Sequence, residues 1–136
     1  MTQYLLDTDS LIFLLKRQPT VEARARQAGM QTLALSAITV AEVLYGAYAS
    51  SNAARSLQET WALVRQLGHI IDVNSTVADK FGEIKADLRR QGLLIADFDL
   101  LIGATALASQ RVLVTNNQRH FQRLAVYGVQ LDNWVV

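Results

Sequence analysis

The sequence predicts a small α/β domain with a mostly parallel central sheet and helices on both of its faces. Short apolar segments alternate with helical patterns along the whole chain of 136 residues. Half of the residues (51%) are hydrophobic, which is enough to form a core. No repeat, low-complexity segment or linker divides the chain. Because strands that alternate with helices form βαβ units, we expect residues 1–136 to form one three-layer domain.

The strands are predicted from short apolar segments bounded by polar residues or glycine. The first follows Tyr4, and Asp7 stands directly at its end. The predicted strands are 4–6, 32–36, 70–73, 112–115 and 129–131.

Helices are predicted from apolar residues at helical spacing and from residues that begin or end a helix. Asp9 or Ser10 is expected to cap a first helix that runs to about Arg17 and stops before Pro19. Thr20 is expected to cap the second helix, which Gly29 ends. Residues 100–108 are apolar almost all round and predict a central buried helix. The other predicted helices are 38–49, 54–67, a stripe at 77–88 that Gly92 closes, and a short helix near Phe121.

Composition limits the possible functions. The formal net charge is +1, so a nucleic-acid surface would require clustering of the thirteen Lys and Arg residues. The absence of cysteine excludes disulfides and thiolate metal sites. No uncharged run approaches the ~20 residues of a membrane span. The first nineteen residues do not resemble a signal peptide. We therefore expect a cytoplasmic protein with no membrane partner.

Three acidic residues lie in apolar surroundings in separate parts of the chain. Asp7 ends the first strand, Glu42 interrupts the segment 38–49, and Asp99 precedes the most apolar helix. Ligands in parallel sheets bind at the carboxyl ends of strands, which favours a site centred on Asp7. Each acid also has a structural explanation. Asp7 or Asp9 could cap a helix, Thr39 and Glu42 have capping-box spacing, and Asp97 could cap the helix after it.

If the three carboxylates converge within ~5 Å, each pair repels by about 3 kcal/mol at an effective dielectric constant near 20. Such a cluster persists only if it retains protons or binds a cation. Carboxylates without histidine or cysteine suit Mg²⁺ or Mn²⁺, and such an ion can activate water for phosphodiester hydrolysis. Gly46 and Gly103 each follow an acid by four residues, which suggests that they clear space beside it.

Four segments in order resemble the PIN-domain ribonucleases, and among them the VapC-type toxins of toxin–antitoxin pairs. The segments are 4–9, 36–46, 99–107 and 114–117, the last leading to Phe121, and the closing residues 132–134 also fit. The resemblance implies that Asp7, Glu42 and Asp99 are the catalytic and metal-binding residues, and it places Asp99 rather than Asp97 in the third acidic position. It further implies Mg²⁺ or Mn²⁺, cleavage of RNA with tRNA among the candidates, a homodimer, and a VapB-like antitoxin.

Neighbouring polar residues would support this site. Candidates for such supporting roles are Thr8, Asp9, Asp97, Thr115 and Asn117. The chain departs from the family pattern in two places. Position nine is Asp where the family often has Asn, and Asn117 and His120 occupy the region where many members carry a fourth acid. One or two metal ions are therefore compatible with the sequence.

Two alternatives remain open from the sequence. The segment 5–10 also resembles the first motif of haloacid-dehalogenase-type phosphatases, in which Asp7 would be the nucleophile, although Glu42 would then have no role. The chain could also be a catalytically silent interaction module of the same fold. Several basic side chains could contact RNA phosphates, although for most of them a solvated surface is expected. These are Arg24, Arg26, Lys85, Arg89, Arg90, Arg111, Arg119 and Arg123.

Overall fold

The central sheet has five parallel strands in the order β3-β2-β1-β4-β5. The structure is a computed structural model that describes residues 1–136. The predicted parallel α/β architecture is confirmed. Leu5 of the central strand lies opposite Ala34 on one side and Leu113 on the other. The strands are β1 (Tyr4–Leu6), β2 (Leu33–Ser36), β3 (His69–Ile71), β4 (Val112–Val114) and β5 (Leu131–Asp132).

Seven α-helices surround the sheet. Short 3₁₀ segments, Met30–Thr32 and Gln122–Tyr127, precede β2 and follow the last helix. Gly92 adopts the left-handed conformation (φ 70°) that ends the fifth helix, as its sequence position predicted. The helices are α1 (Thr8–Leu15), α2 (Pro19–Ala28), α3 (Ala37–Tyr48), α4 (Ala53–Gln66), α5 (Ser75–Gln91), α6 (Asp97–Ala108) and α7 (Gln118–Phe121).

The first two helices begin differently from the prediction. Asp7, and neither Asp9 nor Ser10, caps α1, because the chain turns into the helix directly after β1. Pro19 occupies the first turn of α2, where its missing N–H costs no hydrogen bond. The side chain of Gln18 caps α2 by accepting from the Val21 N–H, so the predicted Thr20 cap is wrong.

Each face of the sheet has its own hydrophobic core. One core contains α1, α2, α4 and the buried Trp134, and the other contains α5, α6 and the 3₁₀ segment after α7. Leu6 packs into the first core and Leu5 into the second, and neither side chain is exposed. This alternation along a strand produces three layers. The buried position of α6 confirms the prediction from its apolar sequence.

The two ends of the strands differ in chemistry. At the amino ends, Arg111 Nη1 donates hydrogen bonds to the carbonyl oxygens of Tyr4 and Thr32, both at 3.1 Å. At the carboxyl ends, β1 leads at once into α1 and β2 into α3. This edge carries the acidic residues discussed below. None of the helices combines the length and the apolar character needed to span a membrane.

We predict that Gly68→Ala destabilises the fold, because a Cβ at residue 68 would lie 2.6 Å from the backbone oxygen of Gln31. Forcing the two segments apart should cost about 1–3 kcal/mol of unfolding free energy in urea denaturation. Gly82→Ala is the matched control, since Gly82 lies within α5 with open space around it. The control should gain up to about 1 kcal/mol from helix propensity. Equal stability of the two variants would contradict the prediction.

Candidate active site

Asp7 is a buried carboxylate at the carboxyl end of β1. Its side chain is 4% exposed, and its Oδ1 accepts a hydrogen bond of 2.7 Å from the Ser10 N–H in the first turn of α1. Its own N–H donates to the carbonyl oxygen of Val114 in β4. Burial raises the pKa of Asp7, while hydrogen bonds from Thr115 and Ser10 partly oppose that increase. The fold therefore holds this carboxylate at an electrostatic cost.

Glu42 lies in the middle of α3, beside the start of α1. The hydroxyl of Thr8 donates a 2.6 Å hydrogen bond to Glu42 Oε1 and lies 3.3 Å from the hydroxyl of Thr39. The N-cap of α3 is Ser36, whose hydroxyl accepts from the Ile38 N–H. The capping-box explanation of Glu42 is therefore wrong. Thr8, the residue that follows Asp7, instead links the start of α1 to α3.

Asp99 is a half-buried residue in the first turn of α6. Burial raises its pKa; His120 opposes the increase, and the negative charges of Glu42 and Asp9 add to it. The Nδ1 atom of His120 lies 3.6 Å from Asp99 Oδ2. The charges of Glu42 and Asp99 thus act on one another although the residues come from different helices.

Asp97 does not belong to this group. Its Oδ1 accepts a 2.8 Å hydrogen bond from Lys85 Nζ on α5, and the Asp97 side chain is 57% exposed. Ala96 is the N-cap residue of α6, so Asp97 is not the cap that we expected. In this structure its carboxylate is engaged by Lys85 of α5, and its expected supporting role at the site stays a prediction.

Asp9 is an exposed residue in the first turn of α1. Its charge raises the pKa values of both Asp7 and Asp99. The negative charge of Asp9 therefore acts on both of these carboxylates. A role as a helix cap does not explain this effect. The additional charge at position nine was the sequence signal for this arrangement.

The loop after β4 connects the two ends of the site. The buried hydroxyl of Thr115 hydrogen-bonds to Asp7 and accepts a 2.9 Å hydrogen bond from the Asn117 N–H. The side-chain amide of Asn117 lies 3.0 Å from His120 Nδ1. His120 Nδ1 thus lies within 3.6 Å of both the Asn117 amide and the Asp99 carboxylate. Thr115 and Asn117 thus connect Asp7 with His120, and their supporting role stays a prediction.

The acidic residues of the site are spread out and do not form a compact cluster. We call Asp7, Asp9, Glu42 and Asp99 together the acidic arc. No three acidic or histidine side chains lie close enough together to coordinate one ion in this arrangement, so the close convergence of three carboxylates considered from the sequence is absent. The donors around the arc are carboxylate and hydroxyl oxygens, which are the ligands that Mg²⁺ and Mn²⁺ prefer. Mg²⁺ commonly uses one or two carboxylates and completes its shell with water and phosphate oxygens. The residues present therefore fit such an ion.

The glycines near the acids have other roles. A Cβ at Gly103 would lie 2.2 Å from Leu124 Cδ1, so this glycine makes room for a core leucine and not for a metal ion. Gly46 is exposed and has no neighbouring atom within 4 Å of a built Cβ. The prediction that these glycines clear space beside the carboxylates is wrong for Gly103 and receives no support from Gly46.

The chain is similar over nearly its whole length to known proteins of one family. The PIN domain family model matches residues 4–127. Ribonuclease VapC2 of Haemophilus influenzae is 36% identical over 135 residues, which are 99% of this chain and 100% of that protein. The tRNA(fMet)-specific endonuclease VapC of Shigella flexneri is 30% identical and covers 98% of this chain and 99% of its own length.

Solved structures give the same result. DNA-bound VapBC from Salmonella typhimurium contains a chain with a TM-score of 0.90 and 30% identity, and the match covers 98% of this chain and 99% of that one. A chain of VapBC2 from Rickettsia felis bound to promoter DNA has a TM-score of 0.87 and 28% identity over the same shares. The phosphatase alternative loses its basis, since the family match includes Glu42 and Asp99 as well as the first motif. The chain belongs to the PIN-domain family and, within it, to the VapC ribonucleases.

Proposed function

We propose that this protein hydrolyses RNA phosphodiester bonds at the acidic arc and acts as the toxin of a toxin–antitoxin pair. The observation that carries the proposal is the placement of Asp7, Glu42 and Asp99 along the carboxyl edge of the sheet in a chain of the VapC family. Asp7 and Asp99 both have raised pKa values, so the protein compensates the negative charge of these carboxylates only in part. A divalent cation would supply that compensation.

Asp7, Glu42 and Asp99 would hold Mg²⁺ or Mn²⁺, which supplies a Lewis acid and an activated water when bound. The protein's own residues orient the carboxylates. Burial and the Ser10 N–H fix the direction of the Asp7 carboxylate, and the Thr8 hydroxyl fixes one oxygen of Glu42. Thr115 and Asn117 support the site from the loop after β4, and Asp9 adds negative charge at its outer side.

The related proteins indicate which RNA substrate and which protein partner to test. Because related endonucleases include a tRNA(fMet)-specific enzyme, tRNA is the first RNA to test as substrate. The similar structures are VapBC complexes, which supports a VapB-like antitoxin as the partner that blocks this site. We also propose that the protein forms a homodimer. Its place of action would be the cytoplasm, where its RNA substrates are found.

We predict that Asp99→Asn lowers the rate of Mg²⁺-dependent RNA cleavage by at least about 100-fold, since it removes a charged ligand and leaves the shape unchanged. Asp97→Asn is the matched control, because it makes the same chemical change two residues away, where the carboxylate contacts Lys85. The control should retain cleavage within about twofold. Full activity of Asp99→Asn at saturating Mg²⁺, or an equal loss in the control, would refute the assignment.

A second prediction concerns stability without metal. Since burial raises the native pKa of Asp7 above its ordinary value of 3.8, the folded protein binds this proton more strongly than the unfolded chain. The group's stabilising effect is full below the unfolded pKa and is lost as the pH rises through the native pKa. In EDTA at neutral pH, Asp7→Asn should therefore gain on the order of 1 kcal/mol of unfolding free energy.

Measuring the unfolding free energy of both proteins over a range of pH provides the control for this stability prediction. The gain of Asp7→Asn over the wild type should shrink below the native pKa of Asp7, because the wild-type residue is then neutral too. Added Mg²⁺ should raise the melting temperature of the wild type and have less effect on Asp7→Asn. A variant that is less stable than the wild type at neutral pH in EDTA would contradict this account.

Expression of the wild-type chain without its partner should arrest growth of the bacterial host. The arrest should require the carboxylates, so the Asp99→Asn variant produced at the same level should be tolerated. Colony counts after induction, with immunoblots for both proteins, measure the difference. Tolerance of the wild-type chain would instead favour the interaction-module alternative.

A further inference from the structure

A second cleft lies directly beside the acidic arc, next to Asp99. It has a volume of about 380 Å³ and lies between residues 94–96, which lead into α6, and the segment 117–123, which contains α7. His120 belongs to both places, because it lines the cleft and its Nδ1 lies 3.6 Å from Asp99 Oδ2. A strand of RNA bound across the arc would therefore extend along this cleft in one direction.

The cleft has the opposite charge to the arc. Its lining includes Arg119, Arg123 and His120 and no acidic residue. Seven of the thirteen Lys and Arg side chains pair with carboxylates, whereas Arg119 and Arg123 are among the six that form no such ion pair. No carboxylate of the protein therefore pairs with these two guanidinium groups, and they lie beside an acidic site that by itself repels a polyanion.

Arg123 is already oriented to bind an anion. Its Nη1 donates hydrogen bonds of 3.1 Å to the carbonyl oxygens of both Leu93 and Leu94. These bonds fix the plane of the guanidinium group while Nε and Nη2 have no protein acceptor. That free edge presents two parallel N–H groups, which is the fork that binds phosphate in a bidentate manner.

Two other residues complete the cleft. Arg119 is exposed and its side chain makes no hydrogen bond to the protein, so it can follow the position of a bound group. Leu94 is 45% exposed at the opposite wall and offers apolar contact to a ribose or a base. The cleft therefore combines one fixed cation, one movable cation and one apolar surface, which matches a nucleotide unit.

We propose that this cleft is a substrate subsite that binds the RNA backbone phosphate next to the phosphodiester that is cleaved. Arg123 is the fixed ligand of that phosphate and Arg119 the adjustable one. The subsite offsets the repulsion between RNA and the carboxylates, and it sets the direction in which the strand crosses the arc. This inference rests on the proposed ribonuclease function.

The test measures binding of a fluorescent short single-stranded RNA in EDTA, where cleavage is prevented, over a series of salt concentrations. Arg123→Gln should weaken binding about tenfold at about 0.1 M salt and reduce the salt slope by about 0.7, the value for one lost contact to a single strand. Arg123→Lys should restore the slope but only part of the affinity, because lysine keeps the charge without the fork. Arg119→Gln should also weaken binding.

The matched control is Arg65→Gln, which removes the same charge from α4, a helix that packs in the other core. It should change affinity less than about twofold, since a phosphate contact and not net charge is being tested. Weaker binding of Arg119→Gln would not result from misfolding, because the Arg119 side chain makes no hydrogen bond to the protein. An equal effect of Arg65→Gln would overturn the inference.

Cleavage of unfractionated bacterial tRNA in Mg²⁺ separates this inference from the proposed function. Arg123→Gln should raise KM with little change in kcat, since the lost contact is present before and during the reaction. If the wild type cleaves and the arginine variants bind and cleave as it does, the inference fails and the proposed function stands. If the wild type neither binds nor cleaves RNA, the proposed function fails and the inference with it.

Discussion

The structure of the acidic site depends on the Asp7 carboxylate being held, buried, between the end of β1 and the first turn of α1. One of its oxygens accepts the Ser10 N–H, and the adjacent β4 accepts both the Asp7 N–H and the Ser10 hydroxyl through the carbonyl of Val114. The same residue therefore begins a helix, fixes the junction to the neighbouring strand and presents a carboxylate. A neutral amide would satisfy the first two requirements at lower electrostatic cost, so the charge itself points to function.

The arrangement around Asp7 spreads negative charge over an arc and does not concentrate it. Glu42 and Asp99 interact with one another, while Asp9 acts on both Asp7 and Asp99. Distributing the acids limits repulsion in the metal-free protein, since a tight cluster would cost a large part of the stability of a domain. The cation-lined cleft beyond His120 has the complementary charge. Substrate and metal together would neutralise a site that the protein alone leaves partly uncompensated.

The sequence predicted the parallel sheet and the acidic edge because both depend on local patterns. Apolar triplets such as Leu33–Leu35 are visible in any reading of the chain, and parallel strands must end at a common edge. The errors concerned features that depend on tertiary position. Asp97 and Asp99 are two residues apart, and only the packing of α5 against α6 shows that one contacts Lys85 and the other faces the arc. The identity of the α1 cap likewise depended on a shift of two residues in where the chain turns.

The Arg111 side chain hydrogen-bonds to the amino ends of two strands, and these contacts bear on the order of folding. Its hydrogen bonds join residues that are 107 and 79 positions apart in the chain. Contacts of such separation require closure of long loops, so we expect them to form after the local helices. We therefore expect the Arg111 guanidinium group to slow unfolding more than it speeds folding.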